Sequence, residues 1–251
     1  MASLWVIAAL TASCSATPAA TGPPPPSAVA RTPSTHPAPA NSTFTVTGNN
    51  PVRANGSQDT HEATPDATCD STQFAADKAT GNEVVDGFLL EHFPTAANLL
   101  ARFLKGTGIG VDFAIGSAIS KEATASSGFR TVNTEVQSEI ALQLKAKVTR
   151  VHLLAQQLPT VYFGSKSSDL YWGFRGTQGL TVTGSGTRKN GRYVGTLTYV
   201  IRDSYGFPVS DTLDGFGPPM RYLQTVCGAP QHPGGAHWFP DTITVRVPFT
   251  A

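Results

Sequence analysis

Apolar side chains recur at helical spacing in two segments of the chain. The first segment follows Pro94 and Thr95, where Thr95 is suited to cap a helix N-terminus, and it stops at Gly106. In the second segment an apolar residue falls at every fourth position from Val132 to Val148, which predicts an amphipathic helix with one buried stripe. Both segments therefore predict helices that pack against a core.

Beyond residue 150 the pattern changes to short runs of aromatic and β-branched residues separated by glycine and serine, at 161–163, 170–172 and 180–183. Asn190-Gly191 is typical of a two-residue hairpin turn, because both positions must adopt positive φ angles. Residues 243–247 alternate in polarity and predict a final strand. Helices followed by strands predict an α+β fold, with N-terminal helices packed on a C-terminal antiparallel β-sheet.

The N-terminus has the features of an export signal. Residues 4–12 are apolar and uncharged, too few to span a bilayer as a helix but suited to the core of a secretory signal. The run ends with small residues directly before a cysteine, in Leu10-Thr11-Ala12-Ser13-Cys14. This pattern resembles the lipobox of bacterial lipoproteins, and the resemblance implies cleavage before Cys14 and lipidation of its thiol.

One feature departs from that resemblance. No basic residue precedes the apolar run, and the first one in the chain is Arg31. An ordinary signal peptide cut near Ala16 or Ala20 is the alternative to lipidation. Either interpretation predicts an exported protein.

Residues 15–66 are rich in proline, alanine, serine and threonine, with few large apolar residues. Such a composition buries too little surface to offset the entropy of ordering, so we expect a disordered tether. Phe44 and Val46 alternate with threonines, and a short strand here could add to the edge of the domain. The expected organisation is a signal at 1–14, a tether at 15–66 and one α+β domain at 67–251, a layout that resembles secreted lipoproteins of high-GC Gram-positive bacteria.

The chain has three cysteines, an odd number for an exported protein. If Cys14 carries lipid, Cys69 and Cys227 remain to form one disulfide. The alternative makes Cys227 a nucleophile with His232 or His237 as its base.

Charge and motifs narrow the function classes. Lys and Arg number 18 against 17 Asp and Glu, so the whole chain has no basic excess that would indicate nucleic-acid binding. No sharp catalytic, metal-binding or nucleotide-binding motif occurs, and we expect no cofactor and no metal.

The candidate chemistry lies in the C-terminal third. Asp203 and His237 could form an acid/base pair, with Arg221 holding an anionic or carbonyl group. Asp211, Asp214 and His232 belong to the same polar region. The simpler explanation is that the aspartates cap turns and the histidines lie at the rim of the sheet.

Three function hypotheses follow. The first is an exported, membrane-anchored cell-envelope protein that binds an envelope or extracellular ligand through exposed aromatic side chains, namely Tyr171, Trp172, Tyr205 and Trp238. The second is a secreted hydrolase or toxin-like effector that uses Asp203 and His237. The third is a structural envelope protein without a discrete ligand.

Overall fold

The structure is a computed structural model that describes residues 42–51, 68–207, 216–228 and 232–251. Its strands are β1 (Thr43–Asn50), β2 (Val111–Phe113), β3 (Arg150–Leu153), β4 (Gly179–Lys189), β5 (Arg192–Tyr205) and β6 (Phe239–Thr250). Its α-helices are α1 (Ser71–Glu83), α2 (Leu90–His92), α3 (Pro94–Leu104), α4 (Ala118–Ala125), α5 (Ser127–Lys145), α6 (Asp169–Phe174) and α7 (Gly217–Thr225). A π-helical segment, Val84–Leu89, joins α1 to α2, and a 3₁₀ turn covers Ala155–Gln157.

The six strands form one sheet in the order β2-β6-β5-β4-β1-β3. The predicted α+β class is confirmed, but the sheet is mixed rather than antiparallel. β1 pairs with β3 and β2 pairs with β6 in parallel, while the three central pairings are antiparallel. The two edge strands, β2 and β3, are only three and four residues long and carry little periodicity, so the sequence did not reveal them.

Strand β1 corrects the predicted domain boundary. It lies inside the segment assigned to the disordered tether, yet it is placed between β4 and β3 rather than at the edge of the sheet. Phe44 and Val46 are each 1 % exposed, because β1 alternates apolar and polar residues with the period of a strand. The folded domain therefore includes residues N-terminal to 67.

The helices pack on one face of the sheet. Phe129 of α5 contacts Tyr199 of β5 edge to face, and Phe103 of α3 contacts Tyr205 near the end of the same strand. The predicted stripe of α5 is buried from Val132 to Leu144, whereas Val148 lies beyond the end of the helix and is exposed. The opposite face of the sheet carries the alternate, polar residues of each strand.

Helix α3 is capped from another element. Thr95 was expected to cap it, but Pro94 is its first residue and the carboxylate of Asp169 accepts hydrogen bonds from the amides of Thr95 at 3.1 Å and Ala96 at 2.8 Å. Asp169 is the first residue of α6. The run at 170–172, which has strand-like composition, is helical and belongs to α6, which packs against α3 and contacts β5.

Two local predictions agree with the structure. Asn190 and Gly191 have φ angles of 50° and 82° and close the β4–β5 hairpin. Cys69 and Cys227 form a disulfide with their Cα atoms 5.1 Å apart, the pairing expected from the cysteine count. This bridge joins the residues before α1 to those after α7, and the two helices pack together. Cys227 is therefore a bridged cysteine, and not the free thiol that the nucleophile alternative requires.

Candidate functional site

Two aspartates face each other across adjacent strands at one end of the sheet. Asp203 near the end of β5 is directly opposite Asp241 near the start of β6 in the antiparallel register. Opposed residues in such a pair point to the same face of the sheet. Two residues further along, the opposed pair Tyr205 and Phe239 stacks with ring centroids 5.4 Å apart and covers the carboxyl pair from that side.

The two aspartates differ in the exposure of the whole residue, although burial dominates the electrostatics of both carboxyl groups. Asp241 is 1 % exposed, and neither of its carboxyl oxygens has a hydrogen-bond partner within the described part of the chain. Asp203 keeps part of its surface exposed, and the backbone amide of Ser204 donates a hydrogen bond to its carboxyl group. The carboxyl group of Asp203 is itself enclosed, since burial is the main cause of the shift of its pKa.

Burial changes the protonation of both groups. Burial raises the pKa of Asp203 to about 8, and the hydrogen bond from Ser204 opposes this rise. Burial, together with the nearby charge of Asp203, raises the pKa of Asp241 well above its ordinary value. Two neighbouring carboxylates repel each other, so the pair holds at least one proton near neutral pH.

Such a pair can perform acid–base chemistry. A carboxylic acid that stays protonated near neutral pH can donate a proton, and an ionised carboxylate beside it can accept one. Strongly shifted carboxyl groups occur preferentially at functional sites, although ion-pair networks also produce them. Here the described residues provide no cation that pairs with either aspartate.

His237 is placed differently from the expected acid/base pair. Its backbone amide donates to the carbonyl of Phe103, and a Cβ added at Gly108 would come within 3.0 Å of its ring nitrogen Nδ1. Nδ1 lies 2.5 Å from the carbonyl oxygen of Trp238, and a carbonyl can only accept, so the ring donates this hydrogen bond. Among the described residues His237 forms no hydrogen bond with Asp203. The neighbour of Asp203 is instead Asp241.

Arg221 lies in α7, which packs against α1 beside the disulfide. Asp211 and Asp214, of the same polar region, lie outside the described residues. His232 stacks against Phe74 of α1, with ring centroids 4.7 Å apart.

A cleft of about 500 Å³ lies between α3, β2 and the loop that joins them. Its apolar wall includes Leu99, Ile109, Val111 and Phe113. Arg102 and Lys105 are cationic groups of the same cleft. Val111 is opposite Asp241 in the β2–β6 register, so the cleft ends on the strand next to the carboxyl pair, although neither aspartate lines it.

The aromatic residues predicted to be exposed are of two kinds. Tyr171 and Tyr205 are 6 % and 7 % exposed, so the expectation that they form a contact surface is wrong: both belong to the core between the helices and the sheet. Trp238 is partly exposed and its ring stacks with that of His237.

Trp172 belongs to a surface group of rings. It contacts Phe88 at 5.5 Å and Phe93 at 5.8 Å between centroids, and Phe88 also contacts His92. Phe88 is 42 % exposed on the π-helical segment, a form of helix that is frequent at functional sites. Phe88, His92, Phe93 and Trp172 are called the Phe88 cluster below.

The described residues lack two further features. No group of three or more His, Cys, Asp or Glu side chains is placed to hold a metal ion. No helix there is both long and apolar enough to cross a membrane. Cys14 and the expected signal lie outside the described residues.

Comparisons with protein-family models, with curated proteins and with solved structures find no match for this chain.

Sequence reasoning identified Asp203 but missed Asp241. A signal for Asp241 was present, since it shares its alternation phase with Ile243, Val245 and Val247, which are all buried. The same phase argument places Asp203 on the side of Tyr199 and Ile201. An aspartate at a buried position of a strand interrupts its apolar alternation. Asp203 and Asp241 are two such aspartates, and they lie opposite each other.

Proposed function

We propose that the protein is an exported cell-envelope hydrolase in which Asp203 and Asp241 share a proton and carry out acid–base catalysis. The observation that supports this most is the opposed position of the two carboxyl groups on the buried face of the sheet, with both oxygens of Asp241 lacking a hydrogen bond. Burying two acids costs stability, and a fold that retains such a cost commonly uses the group in its function.

In the proposed reaction the pair acts in its singly ionised form, in which its one carboxylate accepts a proton from the attacking water. The hydroxide adds to the electrophilic centre of the substrate, and the carboxylic acid donates its proton to the departing group. One water is consumed, one bond is cleaved, and the pair ends with the same number of protons. Asp203, the less buried residue of the two, is the group proposed to meet the substrate, and Asp241 is proposed to set the protonation of the pair.

The cleft supports a location for the remainder of the substrate. Its volume of about 500 Å³ falls in the range of small-molecule sites. Arg102 and Lys105 favour a substrate with an anionic group, and the wall that includes Val111 favours an apolar portion.

Export is the part of the proposal that rests on the sequence. The apolar run at 4–12 and the lipobox-like residues before Cys14 support cleavage and lipidation. The proline-rich residues that follow would then separate the folded domain from the membrane surface.

A panel of ester, amide, glycoside and phosphodiester substrates tests the enzymatic part. Asp203→Asn is expected to lower kcat/KM for any cleaved substrate by at least about 100-fold, since it removes proton exchange without changing size. The matched control is Asp86→Asn, at an exposed position of the π-helical segment, which should leave kcat/KM unchanged. Equal activity of the wild type and Asp203→Asn would overturn the proposal.

The Phe88 cluster favours a second candidate, a binding module for an envelope ligand. Three of its members surround the half-exposed Phe88 ring, and aromatic residues dominate binding energy at many interfaces. If Phe88→Ala abolishes retention of the protein on isolated envelopes while Leu142→Ala, at another exposed apolar position, does not, this candidate gains support. It gains more if no substrate of the panel is cleaved.

A further inference from the structure

The face of the sheet that the helices leave uncovered is lined by hydroxyl groups. The alternate residues of β1, β4, β5 and β6 that point away from the helices are nearly all half-buried or exposed, and eleven of them are threonines. They are Thr43, Thr45, Thr47, Thr181, Thr183, Thr187, Thr196, Thr198, Thr242, Thr244 and Thr250. We call this surface the threonine face.

The threonine face is also basic. Five cations point from it, namely Arg150, Lys189, Arg192, Arg202 and Arg246. His152 lies on the same side of β3, and Asp112 of β2 is the single acid at the outward-pointing strand positions. The formal charge of these positions is therefore +5 from the cations and −1 from Asp112, or +4, whereas the whole chain carries +1.

The groups are arranged in straight rows across the strands. One row runs through His152, Thr47, Thr183, Thr198 and Arg246, all opposed in the strand register. Neighbouring strands lie about 4.8 Å apart, so a row presents a hydroxyl or cationic group at about that spacing. The surface thus offers many hydrogen-bonding positions over its breadth, with one cation on the edge strand β3 and the others on β4, β5 and β6.

Within the part of the chain that the structure describes, the cations of this face have no acidic partners. Among the described residues none of the five forms an ion pair, and Asp112 accepts a hydrogen bond from the hydroxyl of Thr242 at 2.5 Å. Arg202 donates to the hydroxyl of Thr181 at 2.5 Å. Arg150 on the edge strand β3 and Arg246 on β6, next to the other edge strand, are both exposed, so their charge is available to a ligand.

We propose that the threonine face binds an acidic polysaccharide. Its carboxylate or sulfate groups would meet the arginines, and its hydroxyl groups would exchange hydrogen bonds with the threonines. The outward-pointing strand positions carry no Phe, Tyr or Trp on which the bases of single-stranded nucleic acid could stack, which favours a glycan over that polyanion. This site is separate from Asp203 and Asp241, which point to the opposite face.

The test is binding of the full-length protein to immobilised polygalacturonate, with neutral dextran as the control ligand. We expect retention on polygalacturonate that weakens as salt rises, because the cations then compete with free counterions. The double variant Arg150→Glu/Arg246→Glu should reduce affinity at least tenfold. Arg130→Glu/Lys121→Glu, which makes the same change of charge at exposed positions of α5 and α4, should change it less than twofold.

A second variant separates hydroxyl recognition from charge. Thr183→Val/Thr198→Val keeps the shape and net charge of the central row, and it should weaken binding about threefold or more while the melting temperature shows that the domain is folded. Three results would overturn the proposal: no retention on polygalacturonate, equal retention on dextran, or tighter binding to single-stranded DNA than to polygalacturonate at equal salt. An equal loss in the Arg130→Glu/Lys121→Glu control would also overturn it.

Discussion

Asp241 lies opposite Asp203 in the β5–β6 ladder, and its carboxyl group is enclosed in the core without a hydrogen bond from the described residues. Its strand neighbours in the buried phase, Phe239 and Ile243, are apolar and fully buried. A core of this kind would be more stable with an apolar residue at 241. The pair therefore lowers the stability of the fold while it provides groups for acid–base chemistry. The free energy of unfolding and the protonation of the two carboxyl groups can each be measured.

The pair should make the stability of the domain fall as pH rises. The folded-state pKa of Asp203 is about 8 against an ordinary value of 3.8, so the folded protein binds more protons than the unfolded chain between these values. Stability is thus greatest below about pH 4 for this group and is lost as pH rises toward 8. Urea unfolding at pH 5 and pH 8 should show a lower free energy of unfolding at pH 8.

Asp203→Asn/Asp241→Asn provides the comparison for that measurement. It removes both titrations, so the difference in free energy of unfolding between pH 5 and pH 8 should shrink. If the wild type and this variant show the same pH dependence, the two carboxyl groups are not held protonated by the fold.

The disulfide should contribute several kcal/mol to stability. Cys69 and Cys227 are separated by 158 positions, and closing a loop of that length is worth about 5 kcal/mol in the chain-entropy model. The Cys69→Ala/Cys227→Ala variant should therefore unfold at much lower urea concentration than the wild type. Cys14→Ala, outside the bridge, should leave the midpoint of the soluble domain unchanged, and a double variant as stable as the wild type would contradict the assignment.

Asp169 should stabilise helix α3 from outside that helix. Its carboxylate accepts from two free amides of the first turn, and loss of such a cap typically costs about 1 to 2 kcal/mol. Asp169→Ala is expected to lower the free energy of unfolding by that amount, while Asp86→Asn should have no effect. A neutral result for Asp169→Ala would mean that water or another group caps α3 equally well.

The sequence predicted the parts of the fold that have strong local signals. The stripe from Val132 to Leu144 and the Asn190-Gly191 turn are encoded by periodicity and by backbone geometry, and both occur as predicted. The short edge strands β2 and β3 and the helical state of 170–172 depend on tertiary packing, which overrides local propensity.

The candidate site was only partly predicted, because tertiary structure also decides which residues meet there. Asp203 was identified because it stands in a polar cluster of the sequence, but its partner depends on which strand lies beside β5. Asp241 is 38 positions away and is brought to Asp203 by the register of β6, whereas His237, only four residues from Asp241, turns toward Phe103 and Gly108. The threonine face was missed because whole-chain charge conceals its local excess of cations.

Titration of the carboxyl carbons by NMR tests the central claim most directly, with Asp203→Asn and Asp241→Asn used to assign the two signals. The account predicts that the pair keeps a proton at pH 7 and that a carboxyl signal changes near pH 8, with the remaining titration moved toward lower pH when either aspartate is replaced. If both Asp203 and Asp241 titrate near pH 4 and neither responds to replacement of the other, the proton-sharing pair does not exist and the proposed catalytic role fails with it.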